Sequence, residues 1–539
     1  MISKLAIDRF LSRKLDSFVW IKSLSREEVM TSIEELNPVP KFHGPYKPYL
    51  HQLTSFLIGV FLPQFLYLLD LGVGKTRIIL DIISYLKRCG KKPRFLVVVP
   101  NVPNIENWVI EIETYAPTLR SVPLEGSSKE KAKLLDCSGD VYLITYPGLV
   151  ALCTSLEPKK KNPKKRHRVI DKKKLRAVLS IMTGIVLDES TAIMNNGSMT
   201  YKTCNKFARA LEYRFALTGT PFGRDPQALW TQFYFVDRGE TLGPTLGIFR
   251  DAFFTKKERY WGGYEYKFKG KLPKDRTDFL KMKGKKSKWT KKLHELLCNR
   301  SIFYDESECI ELPPKSYQTR TVTCPEDTMV YYDRIKERLV AARGNYRVIK
   351  NSFLNMRQLA SGFLGLKNDE TGAGIKVEFP DNPKLDVLME LVYDTPLTSK
   401  MVIFHEYVWT GDKIASLLKA KGVKFERLGS GQKDPRLALR RFRTDPEFRY
   451  FIVNNHSGAF GLNLQVANYG VFVESPTAPI IRKQCEKRIR RSGQTKRVFF
   501  IDIVMKGTKD EQILEFLKEG EDLFQAIVAG KISKKKLAA

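Results

Sequence analysis

Short apolar runs alternate with amphipathic stretches over most of the chain. The runs are apolar on both faces, which is typical of parallel strands covered by helices on each side. The clearest runs are "RFLVVVP" (94–100), "DVYLITY" (140–146), "GIVLDE" (184–189), "MVIFHE" (401–406), "YFIVNN" (450–455) and "VFFIDIV" (498–504). This pattern predicts an α/β fold with mostly parallel sheets flanked by helices.

The apolar runs fall into two groups, which predicts two lobes. The first group ends near "RFALTGTP" (214–221), and the second begins near Met401. Between them, "ELPPKSYQ" (311–318) carries paired prolines that are typical of a linker. We predict five regions: an N-terminal extension (1–40), a first lobe (41–312), a linker (313–320), a second lobe (321–530) and a basic tail (531–539).

The longest apolar run, 56–69, does not predict a membrane segment. A helix that crosses a bilayer needs about 20 residues, and Pro63 and Gln64 interrupt this run. We interpret it as a helix end, a turn and a buried strand. The N-terminal sequence lacks the apolar core of a signal peptide, and the eight cysteines contain no C-x-x-C pair that would indicate a disulfide or zinc framework. We expect an intracellular protein without membrane contact.

The formal net charge of +33 is the most unusual feature of the composition. It favours a polyanionic partner, usually nucleic acid, and a solubilising surface is the alternative. Segment 157–176 has eleven Lys or Arg against two acids, and segment 256–292 has fifteen against four, with aromatic residues among them. We predict a mobile basic loop for the first segment and a partly ordered basic insert for the second. Solvated inserts without function are the alternative for both.

Phosphate binding is indicated by "FLYLLDLGVGKTRIIL" (65–80), which predicts a strand, a glycine turn, a lysine and a helix. Glycines let backbone N–H groups approach phosphates, and the helix N-terminus adds partial positive charge. Lys75 is expected to reach the β- and γ-phosphates of ATP, and the Thr76 hydroxyl to ligate Mg²⁺. The first glycine of such a loop is absent, because Leu69 occupies its position. The predicted ATP-binding residues of the loop are Gly72, Val73, Gly74, Lys75, Thr76 and Arg77.

A second part of this site is indicated by "GIVLDEST" (184–191), an apolar run that ends in two acids. Asp188 is expected to hold Mg²⁺, and Glu189 to orient and activate the attacking water. An apolar run ending in Asp-Glu is a weak signal by itself. It becomes strong because it follows the phosphate loop in the expected order.

Together these motifs resemble those of the Swi/Snf-like ATPases, the chromatin-remodeller branch of helicase superfamily two, from about Pro48 to Ile513. In the first lobe the similar segments are "KPYLHQ" (47–52), "DLGVGKT" (70–76), "VVVPNVPNIENWVIEIETY" (97–115), "LITYPGL" (143–149), "DESTAIMN" (188–195) and "LTGTPFGRDPQALW" (217–230). The resemblance implies that Gln52 reads the adenine base. It also implies that Tyr146, Thr218, Gly219 and Thr220 contact DNA or couple it to hydrolysis.

The second lobe carries the remaining motifs of this family. They are "NPKLDVLMELV" (382–392), "MVIFHEYVWTGDKIASLL" (401–418), "NNHSGAFGLNLQVAN" (454–468), "QCEKRIRRSGQTKRV" (484–498) and "GTKDEQI" (507–513). The resemblance implies that Gly461 binds ATP. It implies a DNA-binding or coupling role for Ser457, Gly458, Asn463 and Gln484.

Gln484, Arg488 and Arg491 are spaced i, i+4 and i+7, which predicts a shared helix face. Guanidinium groups neutralise charge on transferring phosphate oxygens. The resemblance implies that Arg488 and Arg491 are catalytic arginine fingers, supplied when the lobes close. A plain solvated basic helix is the alternative. Thr191 departs from the family, which often has His there, so coupling is expected to differ.

The resemblance implies two RecA-like lobes that use ATP and Mg²⁺ to move along double-stranded DNA with little sequence preference. Such a translocase would remodel protein–DNA complexes, forks or branched DNA in repair or recombination. The alternatives are a strand-separating helicase of the same superfamily, a non-hydrolysing nucleic-acid-binding scaffold, and an RNA motor. We expect a monomer that associates with DNA in the cytoplasm, nucleoid or nucleus, depending on the source.

Overall fold

In a computed structural model the chain divides into two units, Met1–Glu311 and Leu312–Ala539. The division lies beside the paired prolines Pro313 and Pro314. The described residues are 4–70, 72–159, 162–219, 221–222, 225–258, 264–271, 280, 287–309, 311–341, 346–367, 374–429, 434–459, 462–491, 493–520 and 523. Among them, no helix combines the length and the apolar character needed to cross a membrane.

The first unit is built on a parallel sheet. Its strands are β1 (Gln64–Leu69), β2 (Phe95–Val99), β3 (Ser121–Pro123), β4 (Val141–Thr145), β5 (Thr154–Lys159), β6 (Asn162–Ile170), β7 (Gly184–Asp188), β8 (Tyr213–Thr218), β9 (Phe254–Glu258), β10 (Tyr264–Phe268) and β11 (Ser301–Tyr304). Seven of them form one sheet in the order β11-β1-β8-β7-β2-β4-β3. The pairs β5–β6 and β9–β10 are separate antiparallel hairpins.

Helices of the first unit lie before and between these strands. They are α1 (Lys4–Ser12), α2 (Arg26–Glu34), α3 (Leu50–Phe61), α4 (Lys75–Arg88), α5 (Val102–Tyr115), α6 (Ser128–Leu134), α7 (Tyr146–Cys153), α8 (Lys172–Leu179), α9 (Met199–Ala210), α10 (Ala228–Asp237), α11 (Leu246–Phe253), α12 (Lys288–Leu297) and α13 (Glu306–Cys309), with 3₁₀ turns at Val19–Ser23 and Ser190–Ile193. The run at 56–69 is a helix end, a turn and strand β1, as predicted.

Strand β1 shows why the sheet is covered on both sides. Leu66 and Leu68 belong to one buried apolar cluster, whereas Phe65, Tyr67 and Leu69 belong to another. Successive side chains of a strand point to opposite faces, so the two clusters lie on the two faces of the sheet. The predicted α/β fold, with mostly parallel sheets flanked by helices, is confirmed.

The N-terminal segment is part of the first unit's packing. Phe10 joins one apolar cluster, and Ile21, Val29 and Ile33 join the other. Helix α2 begins at a capping box, in which the Ser25 hydroxyl accepts from the backbone of Glu28 and the Glu28 carboxylate accepts in return. The predicted extension over 1–40 therefore adds core to this unit over its described residues.

The second unit also has a parallel sheet. Its strands are β12 (Lys315–Val322), β13 (Phe363–Lys367), β14 (Gly374–Glu378), β15 (Met401–His405), β16 (Phe425–Leu428), β17 (Tyr450–Asn454), β18 (Tyr469–Phe472) and β19 (Val498–Met505). Six form the order β12-β19-β18-β15-β17-β16, and β13–β14 is a hairpin. The helices are α14 (Glu326–Ala341), α15 (Tyr346–Leu359), α16 (Pro383–Asp394), α17 (Val408–Ala420), α18 (Pro435–Thr444), α19 (Asn455–Ala459), α20 (Pro479–Ile489) and α21 (Lys509–Lys518).

Two predicted irregular segments are regular in the structure. The predicted linker, 313–320, becomes strand β12 from Lys315 onward, because every residue from Lys315 to Val322 pairs with β19. The predicted mobile loop, 157–176, instead contains hairpin β5–β6 and the start of helix α8. Segment 256–292 is partly ordered as hairpin β9–β10 and helix α12. Residues 160–161, 259–263, 272–279, 281–286 and the tail 531–539 lie outside the described residues.

Candidate functional site

The loop after β1 adopts backbone conformations that favour glycine at two positions. Gly72 and Gly74 have φ angles of 88° and 83°, in the left-handed region that residues with a Cβ rarely adopt. A Cβ added to Gly74 would lie 2.1 Å from Nε2 of Gln52. Gly74 is also the N-cap of helix α4. The turn is therefore made by Gly72 and Gly74, and Leu69 is simply the buried end of β1.

Lys75 lies in the first turn of helix α4. Its Nζ donates a hydrogen bond to the Leu69 carbonyl at 3.2 Å and is 3.8 Å from Oε1 of Glu189. The two charged side chains are only 10% and 11% exposed. Strands β1 and β7 run parallel in one sheet, so the segments that follow them emerge at the same edge. The structure thus brings together the predicted phosphate lysine and the predicted water-activating acid.

Gln52 holds the middle of the loop. Its Nε2 donates to the Val73 carbonyl at 3.1 Å, and its Oε1 accepts from the Tyr49 N–H at 3.0 Å. His51 Nε2 lies 2.8 Å from the same Val73 carbonyl. Burial lowers the pKa of His51 to about 4, so the neutral ring donates from Nε2. Gln52 therefore lies against the predicted loop, and its reading of an adenine base stays a prediction.

Arg77, predicted to bind ATP, makes other contacts. Its guanidinium donates to the carbonyls of Tyr46 (2.8 Å) and His43 (3.2 Å) and lies 3.6 Å from the Asp81 carboxylate. It also stacks over the Tyr115 ring. With these contacts made, and only 4% of the residue exposed, Arg77 anchors the segment before α3 to helix α4. The side chain of Arg77 therefore has a positioning role, and its contact with ATP stays a prediction.

Asp188 is held by two aromatic side chains from neighbouring elements. The indole Nε1 of Trp108 donates to Asp188 Oδ2 at 3.0 Å, and the Tyr146 hydroxyl donates to the Asp188 carbonyl at 2.9 Å. Trp108 is 1% exposed and Tyr146 5%. The sequence motif that contains Trp108 did not predict a function for this residue. The indole hydrogen bond fixes the carboxylate that is predicted to bind Mg²⁺.

Glu189 has a left-handed backbone, with a φ of 51°. Such a conformation in a residue other than glycine stores strain and is common at functional sites. After it, the Ser190 hydroxyl donates to Oε1 of Gln232 (2.7 Å), and Gln232 Nε2 donates to the Pro221 carbonyl (2.5 Å). Thr191, at the position of the family's His, donates to the Glu189 carbonyl at 3.4 Å. Sequence reasoning missed Gln232, which links the acidic turn to the "LTGTP" segment.

The residues of the first unit predicted to contact DNA are mostly buried. Thr218 has no exposed surface, so its hydroxyl does not face a nucleic acid in this conformation. It is the last residue of strand β8, which lies between β1 and β7 in the sheet. Gly219 is also buried, and Thr220 lies outside the described residues. Tyr146 is buried as well, and its contact with Asp188 supports the coupling half of its predicted role.

In the second unit the predicted arginine face is shorter than expected. Helix α20 ends at Ile489, and Arg490 has extended backbone angles of −91° and 92°. Its guanidinium donates to the Pro313 carbonyl at 2.9 Å. Gln484 and Arg488 share a helix face, but Arg491 lies beyond the helix. The prediction that all three share one face is wrong, because tertiary contacts of Arg490 end the helix early.

The glycine motif packs against helix α20. Cys485 Sγ lies 3.2 Å from the Asn455 carbonyl, and the Leu464 N–H donates to the Arg488 carbonyl at 3.0 Å. Among the predicted residues, Ser457 is exposed, whereas Gly458 and Asn463 are buried. A Cβ on Gly458 would lie 2.9 Å from the Phe404 ring. Gly461 lies outside the described residues.

Sequence reasoning also missed a polar cluster at the carboxyl end of strand β15. The Glu406 carboxylate accepts from Asn455 Nδ2 at 2.7 Å and lies 3.7 Å from His456 and 3.9 Å from Arg357. The nearby Glu406 carboxylate raises the pKa of His456. The adjacent "HE" and "NNH" of the sequence could have indicated this cluster, because both follow neighbouring parallel strands.

Comparison with protein families gives a consistent result. Residues 68–369, more than half of the chain, match the model of the SNF2-related domain, and residues 383–494 match the helicase conserved C-terminal domain. The chain belongs to the SNF2-related family. The predicted resemblance to Swi/Snf-like proteins of helicase superfamily two is confirmed. At the level of the family, so is the prediction of an enzyme that hydrolyses ATP.

Individual relatives of this SNF2-related chain are distant and longer. It is 24% identical to the transcription regulatory protein SNF2 of Saccharomyces cerevisiae, over 86% of this chain and 26% of that protein. It is 24% identical to the putative ATP-dependent helicase/translocase YwqA of Bacillus subtilis, over 96% of this chain and 52% of that protein. The match to the solved SWI2/SNF2 ATPase core of Sulfolobus solfataricus in complex with dsDNA covers 92% of this chain and 97% of the chain in that structure. The sequence identity is 20% and the TM-score is 0.37. The chain thus spans about a quarter to a half of these two curated relatives.

Proposed function

We propose that this chain binds ATP on the loop after β1 and hydrolyses it. The observation that carries the proposal is the position of Lys75, whose Nζ lies between the Leu69 carbonyl and the Glu189 carboxylate. An ammonium at a helix N-terminus is placed to neutralise phosphate oxygens. Glu189 beside it is placed to orient and activate a water. Gly72, Gly74 and Thr76 supply the backbone and hydroxyl groups for the remaining phosphate contacts.

The residues of this loop and of the acidic turn fit a Mg²⁺ ion. The Asp188 carboxylate and the Thr76 hydroxyl are oxygen donors of the kind that Mg²⁺ prefers. Trp108 and Tyr146 hold Asp188 through hydrogen bonds to its carboxylate and carbonyl, an arrangement that orients metal ligands. When bound, Mg²⁺ neutralises charge on the phosphate oxygens. We assign Thr76 and Asp188 as its protein ligands.

For the second unit we propose that Arg488 and Arg491 stabilise the charge that develops on the transferring phosphoryl group. Burial of a guanidinium has a large desolvation cost, and Arg488 is nevertheless 6% exposed. Its carbonyl accepts a hydrogen bond from the Leu464 N–H, within the glycine motif. The proposed role is better supported for Arg488, which lies on helix α20 as predicted, than for Arg491, which lies beyond the end of that helix. Gly461 is assigned to ATP by its motif alone.

We propose further that hydrolysis drives movement along double-stranded DNA, with ATP and Mg²⁺ as cofactors. The net charge of +33 supports a polyanionic partner, and the Bacillus relative carries the name helicase/translocase. Ser457, exposed in the glycine motif, is the predicted DNA contact with the best access to a ligand. Contacts to phosphates carry little sequence information, so we expect weak sequence preference. We place the protein on DNA inside the cell.

The test is phosphate release by the full chain with and without duplex DNA. We expect DNA to stimulate the parent, and Lys75→Ala and Glu189→Gln to lose hydrolysis while DNA binding persists. Lys92→Ala, which removes an exposed lysine of the same unit, serves as the matched control and keeps full activity. Hydrolysis at the parent rate in Lys75→Ala or Glu189→Gln contradicts the site. Absence of hydrolysis in the parent supports the alternative of a scaffold.

A second experiment separates the motor alternatives. Displacement of a third strand from triplex DNA without unwinding of a plain duplex supports translocation along double-stranded DNA. Efficient unwinding of a plain duplex supports the strand-separating helicase. Stimulation by RNA that equals or exceeds stimulation by DNA supports the RNA motor. Affinity for DNA that does not change with salt contradicts backbone binding altogether.

A further inference from the structure

The segment that follows helix α7 is ordered where composition alone predicted a mobile loop. Hairpin β5–β6 spans Thr154 to Ile170, and helix α8 begins at Lys172. We propose that the described residues 154–159 and 162–174, called the basic arm below, are a preformed arm that binds the phosphate backbone of duplex DNA. This inference rests on the proposed function, because it takes DNA as the partner.

The base of the basic arm is fixed by hydrogen bonds. Thr154, 3% exposed, donates through Oγ1 to the Val150 carbonyl at 2.6 Å and accepts from Arg168 Nη1 at 3.2 Å. The Asp171 carboxylate accepts from the Ser155 hydroxyl at 2.6 Å and caps helix α8. These bonds tie both strands and the helix start together. Little backbone entropy is therefore lost when the arm meets a ligand.

The basic side chains of the arm face solvent. Arg166 and Arg168 alternate on β6, so they share one face of the hairpin, and both are exposed. Lys172 and Lys173 are exposed in the first turn of helix α8, where positive charge opposes the helix dipole. Helix stability does not explain these two lysines. Both ammonium groups are therefore available to a ligand of opposite charge.

Duplex DNA fits the arm better than other anions. A two-stranded β-ribbon fits the major groove, which is about 12 Å wide, and Arg and Lys beside it reach phosphates. Leu156 pairs across the strands with Arg168 and is 54% exposed, so the same face offers apolar contact for sugars or base edges. A single strand has no groove to receive a ribbon.

The test is a triple variant of the full chain, Arg166→Gln, Lys172→Gln and Lys173→Gln. Within the described part of the chain, these three side chains make no hydrogen bond or ion pair that holds the fold. Removing two positive charges from the N-terminal turn of helix α8 also removes their unfavourable interaction with the helix dipole. We measure affinity for duplex DNA at several salt concentrations. If each side chain contacts one phosphate, the log–log salt slope becomes shallower by about 0.9 per contact, or about 2 to 3 in total. Affinity at 0.1 M salt falls at least ~10-fold.

A matched control removes the same charge elsewhere in the first unit. Lys92→Gln, Lys129→Gln and Lys133→Gln change three exposed lysines and lower the net charge equally. We expect the control slope to stay within about 0.5 of the parent slope. Both triple variants keep the parent's ATPase rate in the absence of DNA. Glu157→Gln removes an exposed acid from the arm and strengthens duplex binding, a gain that misfolding cannot produce.

The outcomes distinguish this inference from the proposed function. If the parent shows no salt-dependent duplex binding, the proposed function fails. If the parent binds duplex DNA but the arm variant and the control weaken it equally, the arm inference fails and the proposed function stands. Equal losses on single-stranded and duplex DNA of the same length overturn the groove assignment. A larger loss on duplex DNA, confined to the arm variant, supports it.

Discussion

The hydrogen bond from Trp108 to Asp188 is the contact of the nucleotide site whose removal is most informative. Trp108→Phe keeps an aromatic ring in the buried position but removes the indole N–H that lies 3.0 Å from Asp188 Oδ2. Asp188 then keeps its place in the chain but loses the donor that orients its carboxylate. We expect weaker Mg²⁺ binding with ATP hydrolysis still measurable at high Mg²⁺.

The magnitude follows from the type of contact. Loss of a hydrogen-bond partner of a metal ligand typically weakens the metal by about 10- to 100-fold. A hydrogen bond to a charged group contributes about 1.5–3 kcal/mol to stability. Because Trp108 is 1% exposed, the smaller ring also leaves a cavity. We expect a total loss of about 2–4 kcal/mol, which at about 2–4 °C per kcal/mol corresponds to a fall in Tm of roughly 4–16 °C.

The assay is a Mg²⁺ titration of ATPase activity in the presence of saturating DNA. The matched control is Trp230→Phe, because Trp230 is buried in the same unit and its Nε1 donates to the Gly243 carbonyl at 3.0 Å. Both variants are expected to lose stability. Only Trp108→Phe is expected to raise the half-saturating Mg²⁺ concentration, by about 10-fold or more.

Two results would refute this reasoning. One is a half-saturating Mg²⁺ concentration in Trp108→Phe within about twofold of the parent value, well below the expected change. The other is an equal rise in Trp230→Phe, which would attribute the effect to general loss of stability. Either result would mean that the indole does not orient a metal ligand.

Three further variants test other parts of the site. Gln232→Leu breaks the link between Ser190 and Pro221. We expect the stimulation of ATP hydrolysis by DNA to fall at least ~3-fold, while hydrolysis without DNA changes little. Equal losses of hydrolysis with and without DNA contradict this. Arg491→Ala should abolish hydrolysis but retain ATP binding, and lost nucleotide binding would make it a ground-state ligand. Burial raises the pKa of Asp81 to about 7, so its folded form keeps a proton that the unfolded form releases near pH 4. We therefore compare the unfolding free energy of the parent with that of Asp81→Asn across pH. The parent value should fall by about 2 kcal/mol relative to the variant between pH 5 and 7 and then change little at higher pH. A difference that does not change with pH refutes this.

The sheets were predictable because their signal is local. Strands buried on both faces give continuous apolar runs, and the six quoted runs are strands β2, β4, β7, β15, β17 and β19. The glycine turn and the helix after β1 were equally readable, since the glycines, the lysine and the helix are consecutive in the sequence. Order along the chain then joined the loop to Asp188 and Glu189, and the structure places Lys75 beside Glu189.

The contacts that refine the site were not predictable from spacing. Trp108 and Asp188 are 80 residues apart, and nothing in either segment identifies the other as its partner. Arg77 was assigned to ATP because it adjoins the loop, and the hydrogen bonds of its side chain to the carbonyls of residues 43 and 46 could not be foreseen. The end of helix α20 depends on a contact between Arg490 and Pro313. Such long-range bonds override local helix propensity.

Two segments were predicted wrongly because charge in one and prolines in the other outweighed residues that favour strands. In 157–176 the charge density concealed a hairpin, although Val169 and Ile170 are β-branched residues favoured in strands. In 313–320 the prolines concealed a strand that starts directly after them, although Tyr317 and Thr319 also favour strands. Both segments are exposed, so they lack the apolar run that marks a core strand.

Strand β12 also determines where this protein can be divided. It forms one edge of the second unit's sheet and pairs with β19 over eight residues. A fragment that starts at residue 321, the predicted start of the second lobe, would lack most of this strand and leave unpaired the N–H and C=O groups of β19 that face β12. The other side of β19 stays paired with β18. Open strand edges promote association between chains. We expect such a fragment to aggregate, whereas one that starts at Leu312 keeps the edge covered and is suited to separate production.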